Sequence, residues 1–232
     1  MPQRDQRHLP EHAKYDELSR DDPGHWYRPD SGLQRLERIR FPWFRRRLPP
    51  LEGLRVLDVG CGGGILAEDL ARAGARVVAL DPSAETIRVA RAHARELALA
   101  IDYRVGFAET FRARARFDVV FAVDVLEHVN DLDATLDACL GALAPGGSFG
   151  YLTHNATLEA FERIVWRWEY VERRTARGRH DFHRFIRPDE LAAKLRRRGA
   201  RVVAQSGIAW RPAPVLTRST RVTYLGLARK RR

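Results

Sequence analysis

The chain has 232 residues, enough for one α/β domain with a full core and some attachments, and too few for two enzyme domains of ordinary size. Its two cysteines, Cys61 and Cys139, stand far apart and outside any Cys-x-x-Cys or Cys/His grouping, which argues against a disulfide scaffold and a zinc site. A formal charge of +11, carried by 41 basic residues of which only Lys14, Lys194 and Lys230 are lysine, favours anionic partners or a solvated arginine-rich surface without choosing between them.

Residues 1–32 are polar and broken by Pro, Gly and Asp, and read as a mobile arm or lid. They contain no apolar signal core, and no stretch approaches the ~20 apolar residues of a membrane span, so a cytoplasmic protein is expected. LQRLERIRFPWFRRRL (33–48) has helical apolar spacing that Pro42 should kink or interrupt. Strands then alternate with helices. RVLDVG (55–60) and RVVALD (76–81) flank the helical ILAEDLARAG, a βαβ pattern that requires parallel strands. A helix over 83–97, with Ser83 as N-cap candidate, leads to strands at 101–106 and 117–123. A helix at 133–143, the APGG turn and a strand at 148–153 follow. A long interruption precedes a last helix (PDELAAKLRRRG) and the strands ARVVAQSGIAW and RVTYLGLAR (221–229). The expected fold is α/β: a doubly wound, mostly parallel, Rossmann-like sheet of seven strands with helices on both faces. Residues 1–50 form its N-terminal helical arm, 51–232 the main domain, and 155–187 a lid-like amphipathic insertion.

In such folds a ligand sits beyond the carboxyl ends of the strands, at the first strand-to-helix loop. Here that loop is Gly60-Cys61-Gly62-Gly63-Gly64, preceded by Asp58 on the strand, with Asp81 ending the next strand. Glycines let backbone N–H groups approach a ligand, and a strand-end carboxylate can accept hydrogen bonds from ribose hydroxyls. A dinucleotide fingerprint wants Gly or Ala where this chain has Ile65, so a smaller nucleoside ligand fits better.

Asp58-Val59-Gly60-Cys61-Gly62, Leu80-Asp81, Phe117-Asp118-Val119-Val120 and Leu143-Ala144-Pro145-Gly146-Gly147 follow the order and spacing of class I S-adenosylmethionine-dependent methyltransferases, which the chain resembles. VDVLEHV (123–129), EYVERRTARGRHDFHRFIRPDEL (169–191) and RVTYL (221–225) narrow the resemblance to the UbiG-type O-methyltransferases of ubiquinone biosynthesis, which methylate polyprenylated phenols and catechols. The resemblance implies S-adenosylmethionine as methyl donor, held by Asp58, Gly60, Cys61 and Gly62, with Asp81 on the ribose and Ala108-Glu109 beside the adenine. It also matches Arg40 to an arginine that reaches the donor carboxylate and Val123 to a backbone position beside the adenosine; Arg40 as one more solvated arginine is the alternative. Two departures fall on the acceptor side: Thr153-His154-Asn155-Ala156 where the family has Thr-x-Asn-Arg, and Gly178-Arg179-His180-Asp181 where it has Gly-Thr-His-Asp. Asn155, His180 and Asp181 are the candidate acceptor residues, with a structural hydrogen bond as the competing role for the His180-Asp181 pair.

Methyl transfer needs alignment and a deprotonated nucleophile, and a phenol of pKa ~10 requires a base or a cation. Asp124, Glu127 and His128 stand at i, i+3 and i+4, so a helical turn would project all three from one face. Two carboxylates and an imidazole could hold Mg²⁺ against adjacent catechol oxygens. Otherwise Asp124 and Glu127 are turn and cap residues and His128 is a metal-free base.

The insertion places Phe161, Ile164, Val165, Trp168 and Val171 at helical spacing among Arg163, Arg167, Arg173 and Arg174. It suits either an anionic bilayer surface, on the inner face of the cell membrane, or an ordinary lid packed on the core. The expected partner is a small phenolic or catechol acceptor, a quinone precursor or another hydroxylated metabolite. A nucleic-acid methyltransferase is disfavoured, because no RNA-binding module and no Asn-Pro-Pro-Tyr type motif is present. A non-catalytic cofactor-binding module would leave Asp124, Glu127 and His128 without a purpose.

Overall fold

Neighbouring residues of the apolar strands point to opposite faces, and the two sets pack into two separate cores. Val56, Val119 and Phe121 join one core, whereas Leu57, Val120 and Ala122 join the other. The computed structural model describes residues 6, 8–113, 116–210 and 213–232, so positions 1–5 and 7 of the expected arm lie outside the described residues. The parallel part of the sheet comprises β1 (Arg55–Val59), β2 (Arg76–Asp81), β3 (Ile101–Val105), β4 (Phe117–Val123) and β5 (Leu143–His154). Antiparallel strands β6 (Ala200–Trp210), β7 (Pro214–Thr217) and β8 (Thr223–Lys230) extend it to the order β3-β2-β1-β4-β5-β8-β6-β7.

The sheet thus has eight strands rather than the expected seven. The extra strand is short and begins at Pro214, which lacks an N–H donor and is tolerated because β7 is an edge. Strand order reverses between β1 and β4, whose Val59 and Ala122 are register partners. This switch point opens a crevice at the carboxyl ends of both strands, and the loops that leave them there are Gly60–Gly64 and the turn from Asp124.

Helices α1 (Glu11–Asp21), α2 (Gly32–Arg45), α3 (Ile65–Arg72), α4 (Ala84–Glu96), α5 (Leu132–Ala142), α6 (Leu158–Ala160) and α7 (Pro188–Arg197) complete the chain. Leu66 and Leu70 of α3 and Ile87 and Ala90 of α4 fill the first core, and Leu136, Leu140, Leu191 and Leu195 of α5 and α7 the second. Pro42 does not interrupt α2. It forfeits one backbone bond, but the next two residues, Trp43 and Phe44, are buried, and the Phe44 ring stands edge-on to Phe121 with centroids 5.1 Å apart.

The polar N-terminal stretch holds α1 and a short 3₁₀ turn, Pro23–Tyr27. Polar contacts fix it. Asp16 Oδ1 accepts from Ser83 Oγ (2.6 Å) and Glu85 N (3.1 Å), and the Ser19 and Thr86 hydroxyls meet at 2.7 Å, all at the start of α4. Tyr27 stacks on His93 with centroids 3.5 Å apart, and its hydroxyl donates to Gly63 O at 2.6 Å.

Within the insertion, α6 runs into a π-helical stretch, Phe161–Val171. Its wider i→i+5 turns rotate residues away from the positions that α-helical spacing assigns. Ile164 is buried, and Val165 and Trp168 pack beside it, but Phe161 and Val171 are exposed. The expected five-residue apolar stripe is therefore only partly realised.

Candidate active site

The crevice at the switch point is a cleft of about 1760 Å³. A single ligand site typically measures roughly 300–1,000 Å³, so two small molecules can share it. One half is built on the glycine loop. Gly60 has φ +66°, and a Cβ there would lie 2.6 Å from Val125 Cβ and closer still to Cγ2. Gly62 also has positive φ, and its Cβ would meet the Trp26 indole at 2.9 Å. Glycine is therefore required at both positions by conformation and by close packing. The N–H groups of Gly60 and Cys61 donate to Leu80 O, which ties the loop to the end of β2.

Asp81, at that end, accepts from Gly62 N through Oδ2 (3.0 Å) and from Ser83 N through Oδ1 (2.9 Å). Each oxygen keeps a lone-pair site for another donor. Burial pushes its carboxyl up to about 6 against these two bonds. Asp58, deeper in β1, is pushed up to about 8 by burial, partly offset by the Arg40 charge, and its Oδ2 has no partner. Cys61 lines the cleft as a buried thiol whose pKa burial raises.

The other half begins where β4 ends. Asp124 takes φ +54°, a left-handed conformation that Asp tolerates better than most residues. The chain then makes a turn, with His128 N donating to Val125 O at 2.9 Å, not the expected helical turn. His128 consequently parts from the other two, while Asp124 and Glu127 keep carboxylate oxygens within 4.8 Å of each other. Asp124 pairs with Arg40 of α2, Glu127 accepts from Thr153 Oγ1 at 2.8 Å, and His128 Nδ1 lies 3.0 Å from Glu11 of α1. The third member of the acidic group is His154, at the end of β5, whose Nε2 is 3.7 Å from Glu127 Oε1. Candidate ligand atoms of Asp124, Glu127 and His154 all fall within 4.8 Å of one another, and His128 is not part of that set. Burial dominates their protonation. It pushes Glu127 up to about 7, raises Asp124, and holds His154 well below the ordinary histidine value.

Arg40 lines the cleft but is bound on both sides, by Glu37 and by Asp124, and so is not a solvated arginine. Ala108 and Val123, the positions that the family resemblance sets beside the adenosine, both line the cleft. Glu109 reaches the cleft, yet its Oε1 accepts from Asn130 N and Asp131 N, which caps the approach to α5. His180 lines the cleft, with ring centroids 5.7 Å from His154 and 5.8 Å from His128. Its partner is Glu169 (Nδ1 to Oε1, 3.0 Å), whereas Asp181 points away and caps a 3₁₀ turn through His183 N. Asn155 is turned from the cleft and donates to Thr220 O at 2.8 Å.

Tyr15, Trp26, His154, Trp168 and Arg179 also line the cleft, and none of them is among the residues to which the sequence assigns a cofactor, metal or acceptor role. His154 was accessible to reasoning, because it ends the strand beside β4, where crevice residues gather. Glu169, buried and accepting from Gly178 N and His180 N, is one of several glutamates in an amphipathic run, with Glu162 and Glu172, and nothing in its spacing sets it apart.

Residues 32–205 match the family described as a methyltransferase domain. The chain is 44% identical over 205 residues to the ubiquinone biosynthesis O-methyltransferase of Xylella fastidiosa (strain 9a5c), covering 86% of this chain and 83% of that protein. It is 38% identical over 213 residues to the protein of the same name from Nitrobacter winogradskyi, covering 86% and 80%. Among solved structures, the magnesium protoporphyrin IX methyltransferase of Synechocystis PCC 6803 with bound S-adenosylmethionine shares the fold, with a TM-score of 0.67 at 16% identity over 96% of this chain and 98% of that one.

Proposed function

This chain belongs to the family of S-adenosylmethionine-dependent methyltransferases that includes the ubiquinone biosynthesis O-methyltransferases, and we propose that it methylates a phenolic or catechol hydroxyl of a small quinone precursor. The observation that carries the proposal is the division of one cleft: a glycine loop with a ribose-type carboxylate in one half, and a buried acid and imidazole cluster in the other. S-adenosylmethionine supplies a methyl group already activated on a sulfonium. Asp81 accepts the ribose hydroxyls, Gly60, Cys61 and Gly62 give the donor a Cβ-poor backbone surface, and Ala108 and Val123 flank the adenosine. Arg40, through N–H groups left over from its two carboxylate bonds, faces the donor's carboxylate end.

Across the cleft, Glu127 and His128 lie next to each other in the turn that faces the donor loop. A carboxyl pushed to about 7 is protonated and deprotonated with equal ease near neutrality, which suits removal of a proton from a phenol. His180, fixed by Glu169, presents its free Nε2 to the same space. The set also fits a hard cation: Glu127 Oε1 is buried without a partner, and two carboxylates with the His154 imidazole surround one point. Asp124, Glu127 and His154 would hold Mg²⁺ there, where it would lower the pKa of a catechol oxygen.

Labelled donor offered to a panel of catechols, with and without chelator, tests both parts. Methyl incorporation into a catechol supports the reading, and its absence across the panel refutes it. Full activity after metal stripping removes the Mg²⁺ component. His128→Ala and Glu127→Gln should each lower turnover at least tenfold.

The insertion supports a second contact, with an anionic bilayer that would present a lipid-tailed acceptor. Leu158, Phe161, Trp166, Tyr170 and Val171 are exposed on it, among arginines. Arg167 and Arg174 are paired with Glu172, so Arg163 and Arg173 carry most of the charge available to lipid. No described helix is long and apolar enough to cross a membrane. Sedimentation with acidic-lipid vesicles should be lost on charge reversal at Arg163 and Arg173, and binding that survives it contradicts the electrostatic contact.

A further inference from the structure

Arg179 immediately precedes His180 and is only 8% exposed. Its guanidinium lines the cleft and lies over the Tyr15 ring, 4.9 Å from the centroid. Among the described residues no carboxylate pairs with it, and its Nη1 is buried without a hydrogen-bond partner. A guanidinium cannot shed its proton, and a buried charge is costly unless it is paired. An aromatic face compensates only in part. Arg40, the other buried arginine of the cleft, shows the contrast, because two carboxylates hold it.

Two more hydrogen-bond donors that line the cleft share the condition. Thr175 Oγ1 and Trp210 Nε1 are buried without partners, and both residues line the cleft. They flank Trp168: Thr175 N donates to Trp168 O at 3.4 Å, and the Trp210 ring meets the Trp168 ring edge-on with centroids 5.3 Å apart. Each of the three orphaned groups can donate a hydrogen bond, and the one fixed charge is positive. Their common complement is an anion rich in oxygen, and a planar carboxylate matches the guanidinium fork in shape and charge. Arg179 adjoins His180 in sequence, and the Tyr15 ring beneath its guanidinium meets the His128 ring edge-on with centroids 5.7 Å apart and stacks on Trp26 at 6.3 Å, between the acidic turn and the glycine loop.

Resting on the methyl-transfer reading above, we propose that Arg179 is a specificity-determining residue that binds a carboxylate on the acceptor, so that aromatic hydroxy acids are preferred over neutral phenols. Thr175 and Trp210 leave two neutral donors open in the same cleft. A threonine at this position, as the resembled family has, offers a hydroxyl but no charge.

The test compares 3,4-dihydroxybenzoate with catechol as acceptors for the full-length chain and for Arg179→Gln and Arg179→Lys. Native protein should prefer the carboxylated acceptor in kcat/KM by roughly 10- to 100-fold, the range of a charge-assisted hydrogen bond. Arg179→Gln should abolish that preference, and Arg179→Lys should keep an intermediate one. An unchanged preference in Arg179→Gln overturns the proposal. So does a raised KM for S-adenosylmethionine with the acceptor preference intact, which would assign the carboxylate to the donor's methionine end. If neither acceptor is methylated, the methyl-transfer reading fails on its own, and calorimetric binding still decides Arg179. Tighter binding of 3,4-dihydroxybenzoate than of catechol, lost in Arg179→Gln, upholds the anion site, and equal binding sinks it.

Discussion

Replacing Gly60 by alanine tests the claim that the donor loop and the acidic turn are packed against each other at the switch point. The new side chain is penalised twice. A left-handed backbone, φ +66° here, costs an L residue about 1–2 kcal/mol. The methyl group would also lie 2.6 Å from Val125 Cβ, and overpacking of this kind costs about 1–3 kcal/mol. The sum is about 2–5 kcal/mol. At about 2–4 °C per kcal/mol for a chain of this size, melting should fall by about 4–20 °C. The two contributions separate in a double-mutant cycle. Val125→Gly removes the atoms that the new methyl group strikes, so Gly60→Ala in that background should lose only the backbone share, leaving a coupling of about 1–3 kcal/mol. Scanning calorimetry of the four proteins measures it. A Gly60→Ala protein that melts with the native one refutes the whole argument, and a coupling of zero refutes the packing half.

Arg40→Met leaves Glu37 and Asp124 without their cation and should destabilise by about 3–5 kcal/mol at neutral pH in denaturant titration. That deficit should shrink as pH falls toward ~4, because both carboxyls then take up protons in the folded state as well. Asp58 is raised to about 8 when folded, so the native chain binds a proton there that the unfolded chain releases, and stability falls as pH rises between ~4 and 8. Asp58→Asn should flatten that slope, and an unchanged stability–pH curve would contradict it. Asp81→Asn should weaken donor binding about tenfold in calorimetry, since an amide replaces a charged acceptor. In the native protein the same affinity should drop as pH falls through about 6, where Asp81 gains a proton.

The alternation of apolar strands and helices was readable because each element obeys its own period, and the donor half was readable because Gly60, Gly62 and Asp81 lie within a single βαβ unit. The acceptor half was not. His154, Glu169 and Arg179 come from β5, the π-helical stretch and the loop after it, and only the tertiary fold brings them together. Helix spacing placed Asp124, Glu127 and His128 on one face, but the positive φ of Asp124 starts a turn that sends each side chain to a different neighbour. Helix α1 escaped for another reason. Its buried residues are Lys14 and Ser19, so it is held by polar bonds that no hydrophobic period announces.

The net charge of +11 illustrates how little a sum says about a site. Many of the arginines are spent on surface carboxylates, as Arg198 is on Asp133 and Asp137, and exposed pairs of this kind contribute little to stability or binding. Only three cations among the described residues are buried: Lys14, Arg40 and Arg179. Lys14 has Glu11 and the Gly178 carbonyl, and Arg40 has Glu37 and Asp124. The donor half, meanwhile, is lined by the Asp81 carboxylate and the protonated Asp58 carboxyl, and the negative charge of Asp81 suits a cationic sulfonium compound rather than an anion. The preference for an anionic partner that composition suggested for the whole surface therefore reduces, inside the cleft, to Arg179, the one buried guanidinium that no carboxylate of the described chain neutralises.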